Sequence, residues 1–407
     1  MTATLLARPG RRPTPDQERW FAVAEEVAGR LAEDALERDR AGRPPFAEVA
    51  LLREAGLLPL NLPAEHGGGG QSLSTALEVT QLIGRADSSI GLLLGYHYVF
   101  ATFAHLDLDP ARSAALHRET VRDGLLWAST GTPQGEQLRA TGLPGGAYRV
   151  SGAKPFSTGS RVADRLYATA VDEAGDRISF VLDTGWPGVV RHDDWDALGS
   201  RLTATDTIEL VDVLVPASAV VVNRGRGDET RDPHRVLTTP SFQLLFSHAY
   251  LASAEGALLQ AREYTRASSR PWFHAAPGVE EAVGDPFVQN LYGELVARQH
   301  AVAASVQTAT DALEWALGRG EALTATERAQ VAELVAAAKV VSTQFAVETT
   351  SRVFEAVGAR ATASRHGFDR YWRDVRTHSL HDPVAYKLNE LGRWFLCGEA
   401  PVPSAYR

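Results

Sequence analysis

The chain has 407 residues and a formal net charge of −9. That length allows two or three packed units, and the acidic balance argues against the basic footprint of a nucleic-acid binder. Hydrophobic residues make up 44% and charged residues 22%, ordinary for a globular protein, and no apolar run approaches the ~20 residues that span a bilayer.

A single cysteine, Cys397, excludes an intramolecular disulfide framework and fits a reducing compartment, so a cytoplasmic location is expected. Residues 1–14 are basic and proline-rich, lack a signal-peptide core of sufficient length and read as a loose tail. From 15 to 122 the patterns are helical. The run ALLREAGLLPLNLP is amphipathic and stops before Pro63. The run TALEVTQLIGRADSSIGLLLGYHYVFATF has helical spacing, with Asp87-Ser88-Ser89 as break and N-cap between two helices. From 123 to 235 short strands follow. RLYATAVDEAGDRISFVLDT reads as two strands around an Asp-Glu-Ala-Gly-Asp turn. AYRVSGAKPFSTG, GVVRHDDW and DTIELVDVLVP add further strands, and the Gly/Pro punctuation predicts an antiparallel barrel or sandwich. The rest, 236–407, is a helical bundle with no proline between Pro286 and Pro383. There Thr324 and Glu327 form a capping box, and Val331, Leu334, Ala338, Val341 and Phe345 fall on one face of a long helix. The class is α+β, and no internal repeat is visible.

Five motifs in this order resemble the acyl-CoA dehydrogenase family over essentially the whole chain. GAKPFSTGSRVAD carries Gly152, Lys154, Phe156, Thr158 and Asp164; WDALGSRLTATDTIELVDVLVP resembles the segment that follows; EYTRASSRPWF carries Arg270; DPFVQNLYGEL carries Gln289; and FEAVGARATASRHGFDRYWRDVRT carries Arg373-Asp374. The resemblance implies an N-terminal helical domain, a middle antiparallel β-barrel or sandwich, a C-terminal four-helix bundle, and a homotetramer. It implies flavin contacts at Phe156 and Thr158, with Thr158 near N5, and at Ser129, Thr130 and Gly131 of WASTGTP. Arg270 would serve the flavin phosphates, and Gln289 lies on the helix that follows. Asp164 and Arg373 are expected to hold the fold.

The pattern departs from a dehydrogenase at the base. Removal of a proton α to a thioester needs a carboxylate whose pKa is raised by an apolar pocket. At the family's distance after Arg373-Asp374 stands His381-Asp382-Pro383, not Tyr-Glu-Gly; the alternative base position is Phe246. HDPV with Lys387, and LLGYHY with His97, resemble the subgroup of this fold that uses reduced FMN and dioxygen, the dibenzothiophene and sulfur-acquisition monooxygenases. Arg360, where the dehydrogenases place a Gly-Gly pair for the FAD pyrophosphate, suits a terminal phosphate, so FMN is expected, with FAD as the alternative.

The resemblance thus implies a flavin C4a-hydroperoxide that oxygenates a soft heteroatom, sulfur first. His97 and His381 would stabilise or protonate it, Thr158 would assist, and Asp382 would orient His381. His381 also lines the cofactor, and near neutral pH a histidine there can shuttle a proton. The set Ser129, Thr130, Gly131, Phe156, Thr158, Arg270, Gln289, Arg360 and His381 would bind the cofactor. The alternatives are an N-oxygenase of an amine or amino sugar, and an FAD-dependent acyl-CoA dehydrogenase with an unusual base. No dinucleotide fingerprint follows a clear strand, so a separate NAD(P)H–flavin reductase is expected to supply reduced flavin. His378 and His381 have i, i+3 spacing but no third ligand, and no metal is expected.

Overall fold

Helix-end chemistry sets the limits of the N-terminal layer. In this computed structural model, which describes residues 12–104, 108–131, 136–224, 232–275 and 277–404, α1 (Pro15–Ala41) begins with a reciprocal Thr14–Gln17 capping box. It ends at Gly42, whose φ of 58° suits glycine. Residues 1–11 of the expected tail lie outside the described residues. α2 (Phe46–Glu54) is shorter than the amphipathic run predicted. Gly56 turns left-handed at φ 70°, and residues 57–62 then bury Leu57, Leu58, Leu60 and Leu62 from a series of turns. α3 (Leu73–Ala86) and α4 (Ser88–Phe103) meet at Asp87, whose carboxylate accepts the Ile90 N–H. α4 is buried on nearly every side, the pattern of a core helix. α5 (Pro110–Asp123) completes the layer.

The strands β1 (Trp127–Thr130), β2 (Leu138–Gly142), β3 (Tyr148–Lys154), β4 (Arg165–Asp172), β5 (Arg177–Asp183), β6 (Val189–Arg191), β7 (Ile208–Val215) and β8 (Val220–Arg224) form one sheet. Its order is β6-β7-β3-β2-β4-β5-β8, with β1 also on β4. The expected all-antiparallel arrangement is corrected here, because β1 and β2 both run parallel to β4. After β3 the chain crosses β2 through the Phe156–Asp164 segment and returns in the direction of β2. β1 and β2 therefore share one edge of β4 in line, Thr130 pairing with Ala168 and Leu138 with Ala170.

The C-terminal bundle comprises α6 (Thr238–Ala267), α7 (Pro286–Arg319), α8 (Ala325–Val357) and, after the short α9 (Asp369–His378), α10 (Val384–Cys397). The Thr324–Glu327 capping box opens α8 as expected. The single apolar face drawn for it needs correction. Val331, Ala338 and Phe345 are buried, but Leu334 and Val341 are 41% and 37% exposed. α8 packs against α6, α7, α9 and α10, so its buried surface is wide and takes in Val335, Lys339, Ser342 and Thr349. A buried polar cluster ties the layers together: Glu255 accepts from Gln81, Arg85 and Gln299. Among the described residues no helix is long and apolar enough to cross a membrane.

Candidate active site

Three chain segments carry the residues expected around the flavin ring. The first is the crossover after β3. Phe156 sits at φ 56° and is 66% exposed, a left-handed conformation that costs a non-glycine residue about 1–2 kcal/mol. Its ring meets the edge of Trp195 at 6.2 Å. Thr158 accepts from the Thr205 hydroxyl at 3.2 Å, and Thr205 is 2.7 Å from Thr203. The 195–206 loop carries two more left-handed residues, Ser200 and Ala204. It is clamped to α9: Ser200 N–H donates to Asp374 at 2.6 Å and Gly199 N–H to Thr377 at 2.9 Å. A Cβ on Gly199 would lie 2.1 Å from the Arg373 carbonyl carbon, so only glycine fits. Burial pushes the Asp374 carboxyl up to about 7, against the Ser200 N–H and Arg370.

The second segment is the end of β1. Ser129 accepts the Gly131 N–H at 3.4 Å, and the Thr130 hydroxyl is buried with no hydrogen-bond partner. The third is the turn from α9 to α10. The rings of His378 and His381 stack at 5.7 Å and 3°, and both meet Phe246 of α6 edge-on, at 4.6 and 5.2 Å. The Tyr250 hydroxyl is hydrogen-bonded to His378 Nδ1 at 2.9 Å. His381 keeps open surface although protein crowds it. Burial, then the Lys339 charge, lowers it to about 4 despite Asp382. It is therefore a neutral imidazole at pH 7, a hydrogen-bond donor and acceptor.

Two expected catalytic assignments change. His97 is wholly buried, with Nε2 2.7 Å from the Leu58 carbonyl and Nδ1 accepting the Trp127 N–H at 3.0 Å. Both nitrogens serve the main chain, so His97 is a joint between the 57–62 turns and β1 and has no ring atom for a reacting oxygen. Burial pushes it down to about 4. Asp382, expected to orient His381, is engaged elsewhere as well. Its carboxylate pairs with Lys339 of α8 at 2.6 Å, and both are buried. Lys339 also donates to Gln243 of α6.

The expected cofactor set divides. Ser129, Thr130, Gly131, Phe156, Thr158 and His381 belong to the segments just described. Arg270, Gln289 and Arg360 are exposed at the far end of the bundle. There Arg360 donates to the Ser268 carbonyl at 2.7 Å, and Gln289 to Val283. Phe246, beside His381, and Ala267, three residues before Arg270, are both in α6, 21 residues and so about 30 Å apart. Sequence reasoning missed Lys339, Gln243 and Tyr250, and gave His378 no place. Asp164 and Arg373 hold the fold: Asp164 accepts from Leu126 N–H and Arg53, and Arg373 pairs with Asp39 and Asp369. Among the described residues no His/Cys/Asp/Glu group gathers to hold a metal.

Two family models match. The acyl-CoA dehydrogenase N-terminal domain matches residues 14–107, and the acyl-CoA dehydrogenase C-terminal domain residues 244–385. The chain belongs to the acyl-CoA dehydrogenase family. It is 36% identical to a dibenzothiophene monooxygenase of Mycolicibacterium goodii, over 94% of each chain. It is 34% identical to a probable FMNH2-dependent monooxygenase of Pseudomonas putida, over 95% of this chain and 97% of the other. The FMN-bound crystal structure of TdsC from Paenibacillus sp. A11-2 superposes with a TM-score of 0.90 at 38% identity, over 96% of this chain and 100% of that one. Within the family the chain is a flavin-dependent monooxygenase.

Proposed function

We infer that this protein is the oxygenase of a two-component system, using reduced FMN and dioxygen to oxygenate the sulfur of a small apolar organic compound. The observation that carries the reading is the state of the only carboxylate in the His378–Pro383 turn. Asp382 is consumed by Lys339, and the alternative base position is the buried Phe246. The α-proton abstraction of a dehydrogenase thus has no free carboxylate at either family position, which sets aside the FAD-dependent dehydrogenase.

The residues fit a flavin. The orphan Thr130 hydroxyl is a buried group that a heterocycle edge would satisfy, and the strained, exposed Phe156 is a surface that a planar ring would cover. Ser129, Thr130, Gly131, Phe156, Thr158 and His381 would hold the ring. Bound reduced flavin supplies the two electrons that activate dioxygen. His381, neutral at pH 7, orients polar oxygen by hydrogen bonding, while the aromatic walls exclude water. The Arg270, Gln289 and Arg360 group stands about 30 Å away, farther than one FMN reaches, so a second copy would bring its arginines to the phosphate. This agrees with a homotetramer, and the exposed Trp272, Phe273 and Phe287 at the same end of the bundle suit such a contact. A separate NAD(P)H–flavin reductase would supply the cofactor, and the compartment would be the cytoplasm.

The substrate class follows from Tyr96, Phe100, Phe242 and Phe246, whose rings pack 4.8–6.2 Å apart next to His378 and His381. An aromatic wall favours an apolar, ring-bearing sulfur compound through sulfur–aromatic contact over a charged amine or amino sugar. Anaerobic titration with photoreduced FMN and with reduced FAD tests the cofactor. Tighter binding of FMN is expected; tighter binding of FAD, bleached by an acyl-CoA, would return the dehydrogenase reading.

A further inference from the structure

Lys339 is one of two lysines in the C-terminal bundle that are almost fully buried, and nothing in the reaction as described uses it. It sits on α8, 1% exposed, with its ammonium bonded to Asp382 at 2.6 Å and to Gln243. It also lies 5.5 Å from the centre of the Phe246 ring. The edge contacts of that ring with His378 and His381 make Phe246 the link between the lysine and the two imidazoles. Thr343 and Ser342 hydroxyls bond the Lys339 carbonyl and add to the local packing of α8. Behind the lysine, Lys387 and Glu390 of α10 pair at 3.3 Å, with Glu333 one turn and a half earlier on α8.

We propose that Lys339 is a positioning residue for oxygenation: bonded to Asp382 and to Gln243, it ties the His378–Pro383 turn to α8 and α6 and so fixes where His381 stands. The inference rests on the reading of His381 as a cofactor-facing group. Among the groups around His381 are the His378 and Phe246 rings and the charged Lys339 of α8 and Asp382 of its own turn, while Tyr250 of α6 bonds His378 and Gln243 of α6 bonds Lys339. Lys387, Glu390 and Glu333 act on Lys339 in turn. Of the charged neighbours, Lys339 opposes imidazolium formation more than Asp382 favours it. Burial itself draws Lys339 down only to about 8, because Asp382 holds the proton on it. The lysine therefore stays cationic at neutral pH, where His381 must stay neutral to accept as well as donate a hydrogen bond.

The test is turnover with reduced FMN in the intact protein. In Lys339→Met the rate constant falls while FMN affinity changes little. That variant leaves Asp382 buried without a partner and could unfold. Lys339→Met/Asp382→Asn replaces both partners by neutral groups of similar size, which buried pairs often tolerate. With the turn no longer tied to α8, its rate constant falls as in the single variant while FMN affinity changes little. Lys339→Arg, which can keep the bond to Asp382, retains most of the rate constant. If the double variant folds and binds FMN yet keeps the wild-type rate constant, the proposal is overturned. His381→Ala separates the layers. Loss of oxygenation there, with a wild-type rate constant in the double variant, refutes the role of Lys339 and leaves the reading of His381 standing. Full turnover in His381→Ala refutes the reading itself.

Discussion

Replacing His97 separates a structural joint from a catalytic group. In His97→Ala the Leu58 carbonyl and the Trp127 N–H lose their partners at a site with no exposed surface. Each buried group left unpaired costs about 1–3 kcal/mol, and the vacated ring space adds a cavity term, so the fold should weaken by about 3–5 kcal/mol. His97→Asn places an amide oxygen near the former Nδ1 and should recover part of that loss. The two variants also differ from the wild type in acid. The folded pKa of about 4 lies below the ordinary 6.5, so the unfolded chain binds more protons between those values. The stability from a neutral His97 is complete above pH 6.5 and is lost as pH falls towards 4, by about 3 kcal/mol in all. Urea unfolding followed by tryptophan fluorescence, at pH 7 and pH 5, reads both effects as midpoints. The asparagine variant should lie below the wild type at pH 7 and approach it at pH 5. A His97→Ala protein with an unchanged midpoint and abolished oxygenation would refute the joint and restore a catalytic contact.

Three further outcomes follow from the same geometry. Both oxygens of Glu333 are buried without hydrogen-bond partners, and burial and Glu390 raise it from 4.5 to about 7. Its stabilisation is full below pH 4.5 and lost as pH rises through 7, so Glu333→Gln should raise the urea midpoint at pH 8, by about 3 kcal/mol at most, and leave it unchanged at pH 4.5. Phe156→Gly should stabilise the flavin-free protein by about 1 kcal/mol by removing left-handed strain, while weakening retention of FMN in an equilibrium dialysis assay. Arg270→Ala and Arg360→Ala should each lower FMN affinity about tenfold or more through loss of charge-assisted phosphate bonds. Sedimentation of the same samples shows whether the assembly is retained.

The motifs legible in the sequence were those carried by local chemistry. Asp87 as a cap, the Thr324–Glu327 box and the strands around the 172–176 turn need only neighbours in the chain, and the structure places each as read. His381 was legible because the HDPV turn is local. Lys339 was not, because its tie to Asp382 spans 43 residues and depends on how α8 packs beneath the α9–α10 turn. His97 was misassigned for a related reason. The apolar LLGYHYVF run showed that the helix was buried, but the Leu58 and Trp127 main-chain groups that take up the ring come from separate segments. Strand composition fixed the existence of β1 and β2 without their direction, which depends on the crossover through Phe156. Likewise, the periodicity of α8 showed one face, and only its packing against α6, α7, α9 and α10 put Leu334 and Val341 on the rim.

The most direct test of the central claim is a single turnover with heavy-isotope dioxygen. The protein is loaded anaerobically with photoreduced FMN and an aromatic thioether or thiophene, then mixed with labelled dioxygen, and the product is weighed by mass spectrometry. The account predicts a sulfoxide that carries one labelled oxygen atom, with formation abolished in His381→Ala. Unlabelled substrate recovered intact, from a protein that instead retains FAD and is bleached by an acyl-CoA, would contradict it.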